Sequence, residues 1–402
     1  MRFLLTAAGN TLSHVAKCLA LREVLAARGH EVHVATSECR SGFLRRLGVA
    51  HEVVAEPGDD DRAPAPTLAW FRAPRFEACV RAEVELLRRL APDRVLGVFR
   101  FTGALSARLA GVPYDALVCG CMTPACAETL GFAPGDPGEP EQAEALAFFR
   151  RATAARAAPA LERLGLAPVD DAWALLLGER TFLWDTPEFQ PLRPLPGIGH
   201  VGPIHWDGWP VDPGAAERLE ALRDPLAVVS FGTGGGHAAV AARVVEILRR
   251  LDYSVALAGG SGDARGLPAP GPRFAAFDFL PVERALRRAR LVACHGGQGI
   301  AFEAMRHALP MVVVPFQPEQ AQNGRCLERL GCGLRLAKGP PALPDAVPTD
   351  ALFLARPPED VAREISSFVG DPAGTARRAA AARAVAATGG VQALAAALER
   401  WP

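Results

Sequence analysis

The stretch HGGQGIAFEAM, residues 295–305, is where the chain's chemistry is most legible. It follows the apolar run LVAC and leads into a helical pattern, so Gly296, Gly297 and Gly299 fall at a strand-to-helix turn. Glycines there let backbone approach a ligand closely, and a helix start presents unpaired N–H groups to an anion. A diphosphate fits such a turn, and so does simple chain reversal, the commoner use of a lone glycine-rich loop. The helix macrodipole supplies only ~0.3–1 kcal/mol, so His295 and several amide hydrogen bonds must carry the rest. Downstream, PFQPEQAQN at residues 315–323 follows the next apolar run and therefore ends at the same carboxyl edge of a parallel sheet. Glu319 and Gln320 suit the vicinal hydroxyls of a sugar, and Glu303 suits a ribose diol. Alone, such an acid–amide pair is ordinary solvated surface.

Other motifs are weaker. Cys119, Cys121 and Cys126 form a C-x-C-x4-C cluster, but no fourth ligand stands nearby and VCGCM reads as buried strand, so no metal is expected. Asp59, Asp60 and Asp61 lie in a Pro-rich loop and read as a solvated acidic turn. The run GTGGGH lacks the Lys-Ser/Thr of a Walker loop.

These segments need a scaffold. The 402 residues exceed what one core usually serves, which favours two domains of about 200 residues each. With 44 basic and 44 acidic side chains the net charge is zero, so no long-range attraction to nucleic acid or anionic membrane is expected. The N-terminal MRFLLTAAGNT is too short in its apolar part for a secretory signal, and no uninterrupted apolar run reaches the ~18–20 residues of a membrane span. Nine cysteines, several in apolar patterns, suit reduced thiols and a cytoplasmic location.

The first half alternates strand and helix patterns. Strands are expected near 2–6, 31–36, 94–99 and 114–119, and helices near 13–28, 76–90 and 103–110. Residues 56–66 and 133–141 read as loops, and the Pro/Gly/Trp-rich stretch 192–213 as the interdomain linker. A second alternation follows, with strands near 226–231, 254–258, 273–277, 291–294 and 311–314, and helices near 240–251, 282–288, 300–307 and 321–330. Runs such as LAVVSF and MVVVP are apolar on both faces, as parallel strands covered by helices must be. The Ala/Arg-rich stretch 375–401 is helical and broken at Gly389–Gly390.

Residues 295–333, HGGQGIAFEAMRHALPMVVVPFQPEQAQNGRCLERLGCG, resemble the donor-binding signature of nucleotide-sugar-dependent glycosyltransferases of the GT-B fold that decorate antibiotics, macrolides and other natural products. The resemblance keeps the order and spacing of His295, Glu303, Pro315, Glu319, Gln320 and Asn323. It extends to SFGTGGG, DFLP, VGP and ARGHEV, covering nearly the whole chain.

It implies an α/β fold of two Rossmann-like domains facing across a cleft. Residues 1–205 would bind the acceptor, 206–380 the nucleotide sugar, and 381–402 would form a helix packing back on the first domain. His295 and the amides of Gly297, Gln298, Gly299 and Ile300 would hold the diphosphate with Gly232 and Thr233. Leu280 to Val282 would border the base, Glu303 would bind the ribose, and Glu319 with Gln320 the sugar. Ile300 replaces the hydroxyl residue many relatives place near the phosphates. His14, at the start of the first helix, would deprotonate the acceptor hydroxyl. Relatives usually orient that histidine with an acid where this chain has Val98; Asp115 on the next strand is the candidate substitute, beside the alternatives that it is an outward-facing strand-end carboxylate, that the partner comes from elsewhere, that His14 acts unaided, or that this copy is slow or inactive.

The resemblance implies inverting, metal-independent transfer from a UDP- or dTDP-sugar to a small, largely apolar acceptor. No cofactor beyond the donor is expected. Trp70, Phe71, Phe76, Met122 and Phe148 are candidate acceptor lining or core. The expected partners are the acceptor and the nucleotide sugar, without nucleic acid or stable membrane insertion, in a monomer or homodimer. Two alternatives stand beside this reading: a non-catalytic nucleotide-sugar-binding helper, and a UDP-sugar epimerase on the same scaffold.

Overall fold

The structure is a computed structural model and describes residues 1–56, 71–232, 237–259, 266–337 and 349–400. The chain divides into two compact units. Unit 1 comprises Met1–Ala127, Glu144–Asp207 and Thr388–Pro402, and unit 2 comprises Glu128–Ala143 and Gly208–Ala387.

The first half runs β1 (Arg2–Ala7), α1 (Leu12–Ala27), β2 (Glu31–Thr36), α2 (Glu38–Arg46), β3 (Glu52–Val53), α3 (Ala73–Leu90), β4 (Arg94–Val98), α4 (Gly103–Ala110), β5 (Tyr114–Val118), α5 (Glu139–Arg163), β6 (Arg180–Leu183) and β7 (Ile198–His200). The seven strands pair in the order β3-β2-β1-β4-β5-β6-β7, all parallel. Strand β1 is buried from Phe3 onward and β4 and β5 are buried throughout, because helices cover both faces of the sheet. One core layer joins Leu4, Val95 and Ala116 of the strands to Leu86 and Leu87 of α3.

The second half runs α6 (Ala215–Glu220), β8 (Leu226–Ser230), α7 (Ala238–Arg250), β9 (Ser254–Ala258), β10 (Phe274–Phe277), α8 (Val282–Arg288), β11 (Ala289–Cys294), α9 (Gln298–Arg306), β12 (Met311–Val313), α10 (Pro318–Arg329), β13 (Gly333–Arg335), α11 (Thr349–Leu354), α12 (Pro358–Val369) and α13 (Pro372–Ala386). Its strands pair in the order β10-β9-β8-β11-β12-β13, all parallel. This is the doubly wound order of a dinucleotide-binding fold. Such sheets bind ligands where the strand order reverses, which here is between β1 and β4 in unit 1 and between β8 and β11 in unit 2.

The last helix, α14 (Gly390–Glu399), belongs to unit 1. Glu399 accepts from Arg28 at 2.7 Å and lies 2.9 Å from His30, while Gly390 N donates to Val201 O at 2.8 Å. The stretch Pro372–Glu399 has the length and mean hydropathy, 1.3, of a membrane span, but it is two helices interrupted at 387–389.

Three features depart from the sequence expectations. The stretch 192–213 is not all linker, since β7 extends the first sheet from within it and the units divide after Asp207. Helix α5 begins inside the expected 133–141 loop, with Glu139 and Glu141 in its first turn. Residues 128–143 group with unit 2.

Candidate functional site

In unit 2 the turn between β11 and α9 is built by side-chain absence. Gly296 has φ +87°, and a Cβ there would stand 2.6 Å from the Gln320 carbonyl oxygen. Only glycine meets both conditions. Gly297 is the N-cap of α9, and a Cβ on it would meet His295 Nε2 at 2.4 Å, so its bareness lets the imidazole lie against the backbone. Gly232, two residues past the end of β8 with φ +81°, faces the same ring: a Cβ on it would stand 3.2 Å from Cε1. His295 Nδ1 lies 3.4 Å from Ser230 O. Burial pulls the His295 pKa down to about 4, with the Ser230 carbonyl opposing that shift and the His237 ring adding to it. The ring is therefore neutral at neutral pH, next to the first turn of α9, whose N–H groups a helix leaves without intrahelical acceptors.

The next turn is stitched to this one. Asn323 Nδ2 donates to Gly296 O at 2.9 Å and to Glu319 Oε1 at 2.6 Å, while its Oδ1 accepts from Gln298 Nε2 at 3.1 Å. Asn323 is fully buried and Gln298 nearly so. Helix α10 begins at Pro318, three residues before the expected start at 321, because Pro318 pre-sets the first turn and Gln320 accepts from Phe316 N at 2.9 Å. Glu319 and Gln320 thus sit in the first helical turn, with Glu319 held by Asn323 and the Gln320 amide nitrogen outside the capping bond. Phe316 stacks flat on His237, the ring centroids 3.6 Å apart and 4° from parallel.

Among the expected donor residues, the structure gathers His295, Gly297, Gln298, Gly299 and Ile300 at the start of α9. The Gln298 side chain points into the Asn323 network, so only its backbone amide remains for a ligand. Leu280 is buried and Val282, the first residue of α8, half-buried. Glu303 pairs with Arg306 at 3.1 Å. Thr233, the aspartates at 59–61 and Trp70 lie outside the described residues.

Helix α10 is also held from its far side. Glu128 accepts from Gln322 Nε2 at 2.6 Å and Arg329 at 2.9 Å, and pairs with Arg325. Gly131 N donates to Gln322 Oε1 at 3.1 Å, and Gly131 O accepts from Arg335. Sequence reasoning missed this clamp, because partners about two hundred residues apart leave no local period.

In unit 1, His14 lies in the first turn of α1, which Thr11 caps by accepting from Ser13 N. The ring is 7 % exposed and sits among aromatic rings, stacked on Phe99 at 5.1 Å and tilted against Trp184 at 5.7 Å. Phe99 follows β4 with φ +53°, an uncommon backbone for a bulky residue. Lys17, one turn along α1, places Nζ 4.5 Å over the Trp184 ring. Burial, reinforced by Lys17, pulls the His14 pKa down to about 3; the Ala8 backbone offsets a little and Arg40 adds to the lowering. Nδ1 is buried without a hydrogen-bond partner among the described residues.

The expected acidic partner is corrected. Asp115 is fully buried near the amino end of β5, where it accepts from Arg94 at 2.8 Å and Arg180 at 2.6 Å. It joins β4, β5 and β6 at their starts, three residues or ~10 Å short of the carboxyl edge that carries His14. Val98 is fully buried at the end of β4. Behind the α1 turn, Glu56 accepts from Gly9 N at 2.8 Å, and Arg40 donates to Gly9 O at 2.6 Å. Arg100 bridges Glu56 at 3.7 Å to Glu83 at 2.5 Å.

The carboxylate-paired histidine of this edge is a different one. His200, closing β7, lies 2.9 Å through Nδ1 from buried Asp185, whose other oxygen accepts from Gly120 N at 2.8 Å. Although burial lowers the His200 pKa, contact with Asp185 outweighs it and leaves the pKa raised. The aromatic candidates divide as well: Phe71 and Phe76 are core and Phe148 is 62 % exposed.

With this geometry in view, comparison with known proteins is direct. Residues 239–339 match the model of the glycosyltransferase family 28 C-terminal domain. The PGL/p-HBAD biosynthesis rhamnosyltransferase of Mycobacterium bovis (strain BCG / Pasteur 1173P2) is 28 % identical over 362 residues, covering 83 % of this chain and 76 % of its own. The demethyllactenocin mycarosyltransferase of Streptomyces fradiae is 28 % identical, covering 84 % and 75 %. Among solved structures, the spinosyn rhamnosyltransferase complexed with thymidine diphosphate superposes with TM-score 0.69 at 19 % identity over 100 % of both chains. The glycosyltransferase of kitacinnamycin superposes with TM-score 0.72 at 20 % identity over 99 % and 98 %. The chain is a nucleotide-sugar-dependent glycosyltransferase of the GT-B fold. Within that class it resembles the enzymes that glycosylate antibiotics and other natural products.

Proposed function

We propose that the protein carries out inverting, metal-independent transfer of a sugar from a UDP- or dTDP-sugar to a hydroxyl of a small, largely apolar acceptor, in the cytoplasm. The observation that carries this reading is Asn323, which ties the Gly296 turn to Glu319 and so sets a phosphate-type turn beside a sugar-type carboxylate. The amides opening α9 and His295 would take the diphosphate, in place of a metal ion, as it leaves with the bonding electron pair. Glu319 and Gln320 would hold the sugar and Glu303 the ribose. His14 would take the acceptor proton as the acceptor oxygen attacks the anomeric carbon from the face opposite the departing phosphate. No cofactor other than the donor is needed for these steps.

The absence of a carboxylate at Val98 favours, as a second reading, a helper that binds nucleotide sugar without turnover. A screen of UDP- and dTDP-hexoses against apolar hydroxylated acceptors, followed by mass shift, separates the two. Transfer that is lost in His14→Ala supports the enzyme. Heat protection by UDP or dTDP without any transfer supports the helper.

A further inference from the structure

We infer that segment 128–132 belongs to the donor-sugar site as its frame: Glu128 and Gly131 are positioning residues that set where Glu319 and Gln320 meet the sugar of the nucleotide sugar. This rests on the sugar-binding role proposed for that pair. A helix of 12 residues such as α10 is marginal alone, so tertiary contacts decide where its first turn stands. Asn323 and Glu319, four residues apart, form one stripe, which is tied to the Gly296 turn. Gln322, Arg325 and Arg329, at spacings of three and four, form another, and all three reach the Glu128 carboxylate.

Gln322 is fully buried, which is costly for an amide unless both of its ends are bonded. Here both are: Nε2 donates to Glu128 at 2.6 Å, and Oε1 accepts from Gly131 N at 3.1 Å. Apolar contact is non-directional and lets a helix slide or roll, whereas two opposed hydrogen bonds on one amide fix its rotation and its height. Gln322 is adjacent to Asn323 and three residues from Glu319, so what fixes it also fixes the acid and amide one turn earlier. Gly131 permits the close approach. It has φ +86°, and a Cβ on it would stand 2.8 Å from the Cβ of Ala321, the residue between Gln320 and Gln322.

The segment is itself braced, as a frame must be. Leu130 O accepts from buried Gln142 Nε2 at 3.2 Å, and Thr129 donates to Glu139. Arg335 of β13 donates to Gly131 O while its Nε reaches Glu328 of α10 at 2.7 Å. Although burial raises the Glu128 pKa, Arg325 and Arg329 outweigh it and leave it lowered, so the carboxylate stays charged. The diphosphate turn is held through Asn323, on the other stripe. Loosening the segment therefore displaces the sugar contacts more than the phosphate contacts. The chain leaves unit 1 after Ala127 to build this frame and re-enters it at Glu144, so residues between β5 and the body of α5 take part in reading the donor sugar.

The test titrates the full chain with UDP, dTDP, UDP-glucose and dTDP-glucose, comparing the native protein with Glu128→Ala and with Gln322→Met, which keeps the side-chain volume and loses both bonds. In each variant the dissociation constant of the nucleotide sugar that the native protein binds tighter is expected to rise roughly tenfold or more, while that of the matching nucleoside diphosphate changes by less than about threefold. The double variant is expected to lose no more than about twofold beyond the worse single variant, because both changes break one set of bonds. Equal losses for nucleotide sugar and nucleoside diphosphate overturn the inference, and so do no loss for either and single losses that multiply in the double variant. Gln322→Met decides the matter should Glu128→Ala fail to fold, and failure of both to fold assigns the clamp to stability alone and overturns the inference. A native protein that binds the diphosphates but neither nucleotide sugar overturns it too. A native protein that binds none of the four overturns the underlying glycosyltransferase reading instead.

Discussion

His14 and His295 are both histidines at strand-to-helix turns, both beside the strand-order reversal of their sheet, and both driven by burial well below the ordinary imidazole pKa. Their surroundings are opposite. Around His295 the neighbours are polar and mutually bonded, with Ser230 O on the ring and the Gln298–Asn323–Glu319 chain behind the turn. Around His14 they are aromatic rings and cations, and Nδ1 has no hydrogen-bond partner among the described residues. A site that holds a fixed anion needs donors whose geometry is set in advance, which a closed hydrogen-bond network supplies. A site that must admit different apolar surfaces and handle one proton needs walls and a base.

The contrast fails first if His14 does nothing in transfer. His14→Ala is expected to lower kcat by roughly 10²–10⁴-fold while leaving the dissociation constant of UDP or dTDP within about twofold. Steady-state kinetics beside nucleotide titration measures both, and equal rates in wild type and variant would remove the base from unit 1. In unit 2 the corresponding change is Gly296→Ala. It forces a Cβ against the Gln320 carbonyl and asks alanine to adopt φ +87°. The strain of ~1–3 kcal/mol predicts a loss of roughly 10–100-fold in nucleotide affinity, with the midpoint of thermal unfolding lowered as well. Retained affinity would show that the turn does not grip the diphosphate.

The same contrast explains what the sequence could disclose. Gly296, Gly297, Glu319 and Gln320 lie close together in sequence, on turns whose strands and helices have clear periods, so their convergence on one sheet edge was legible. The role of Asn323 as the knot between turns was visible only as spacing, since nothing local says where an amide side chain points. Asp115 was misjudged for a physical reason. A carboxylate on an apolar strand gives its existence but not which end of the strand it occupies or which arginines, from strands far apart in sequence, will neutralise it. His200 was hidden because β7 is three residues within a Pro/Gly-rich stretch, too short for an alternating pattern. Helix α5 escaped for want of amphipathic contrast, with alanine and arginine spread around it and Pro159 inside.

Asn323→Ala distinguishes a network that positions from one that merely fills space. It removes donors from Gly296 O and Glu319 and leaves Gln298 Nε2 without its acceptor. One charge-assisted bond is worth ~1.5–3 kcal/mol, which predicts roughly a tenfold or greater rise in donor KM with a smaller change in kcat. Asn323→Asp should recover little, because a carboxylate placed against Glu319 repels it. A variant with unaltered donor KM would show that Glu319 needs no holding.

The smallest effect is on stability, and its sign differs between histidines. His14 and His295 have folded pKa values of about 3 and about 4, below the unfolded value of ~6.5. The unfolded chain therefore binds more protons between these limits, so the stability these two confer is fully present above ~6.5 and is lost as pH falls toward 4 and 3. His200 has a raised folded pKa through Asp185, so its contribution is fully present below ~6.5 and is lost as pH rises through that higher value. The two slopes meet near neutrality. Denaturant midpoints across pH 4–9 should accordingly fall on both sides, more steeply on the acid side. His14→Phe, which replaces one ring by another between Phe99 and Trp184, should flatten the acid limb. His200→Gln should flatten the shallower alkaline limb and leave the acid one unchanged. If His14→Phe left the acid slope intact, the imidazole would be reaching solvent and a carboxylate would be steadying it, and the distinction drawn between His14 and His295 would no longer hold.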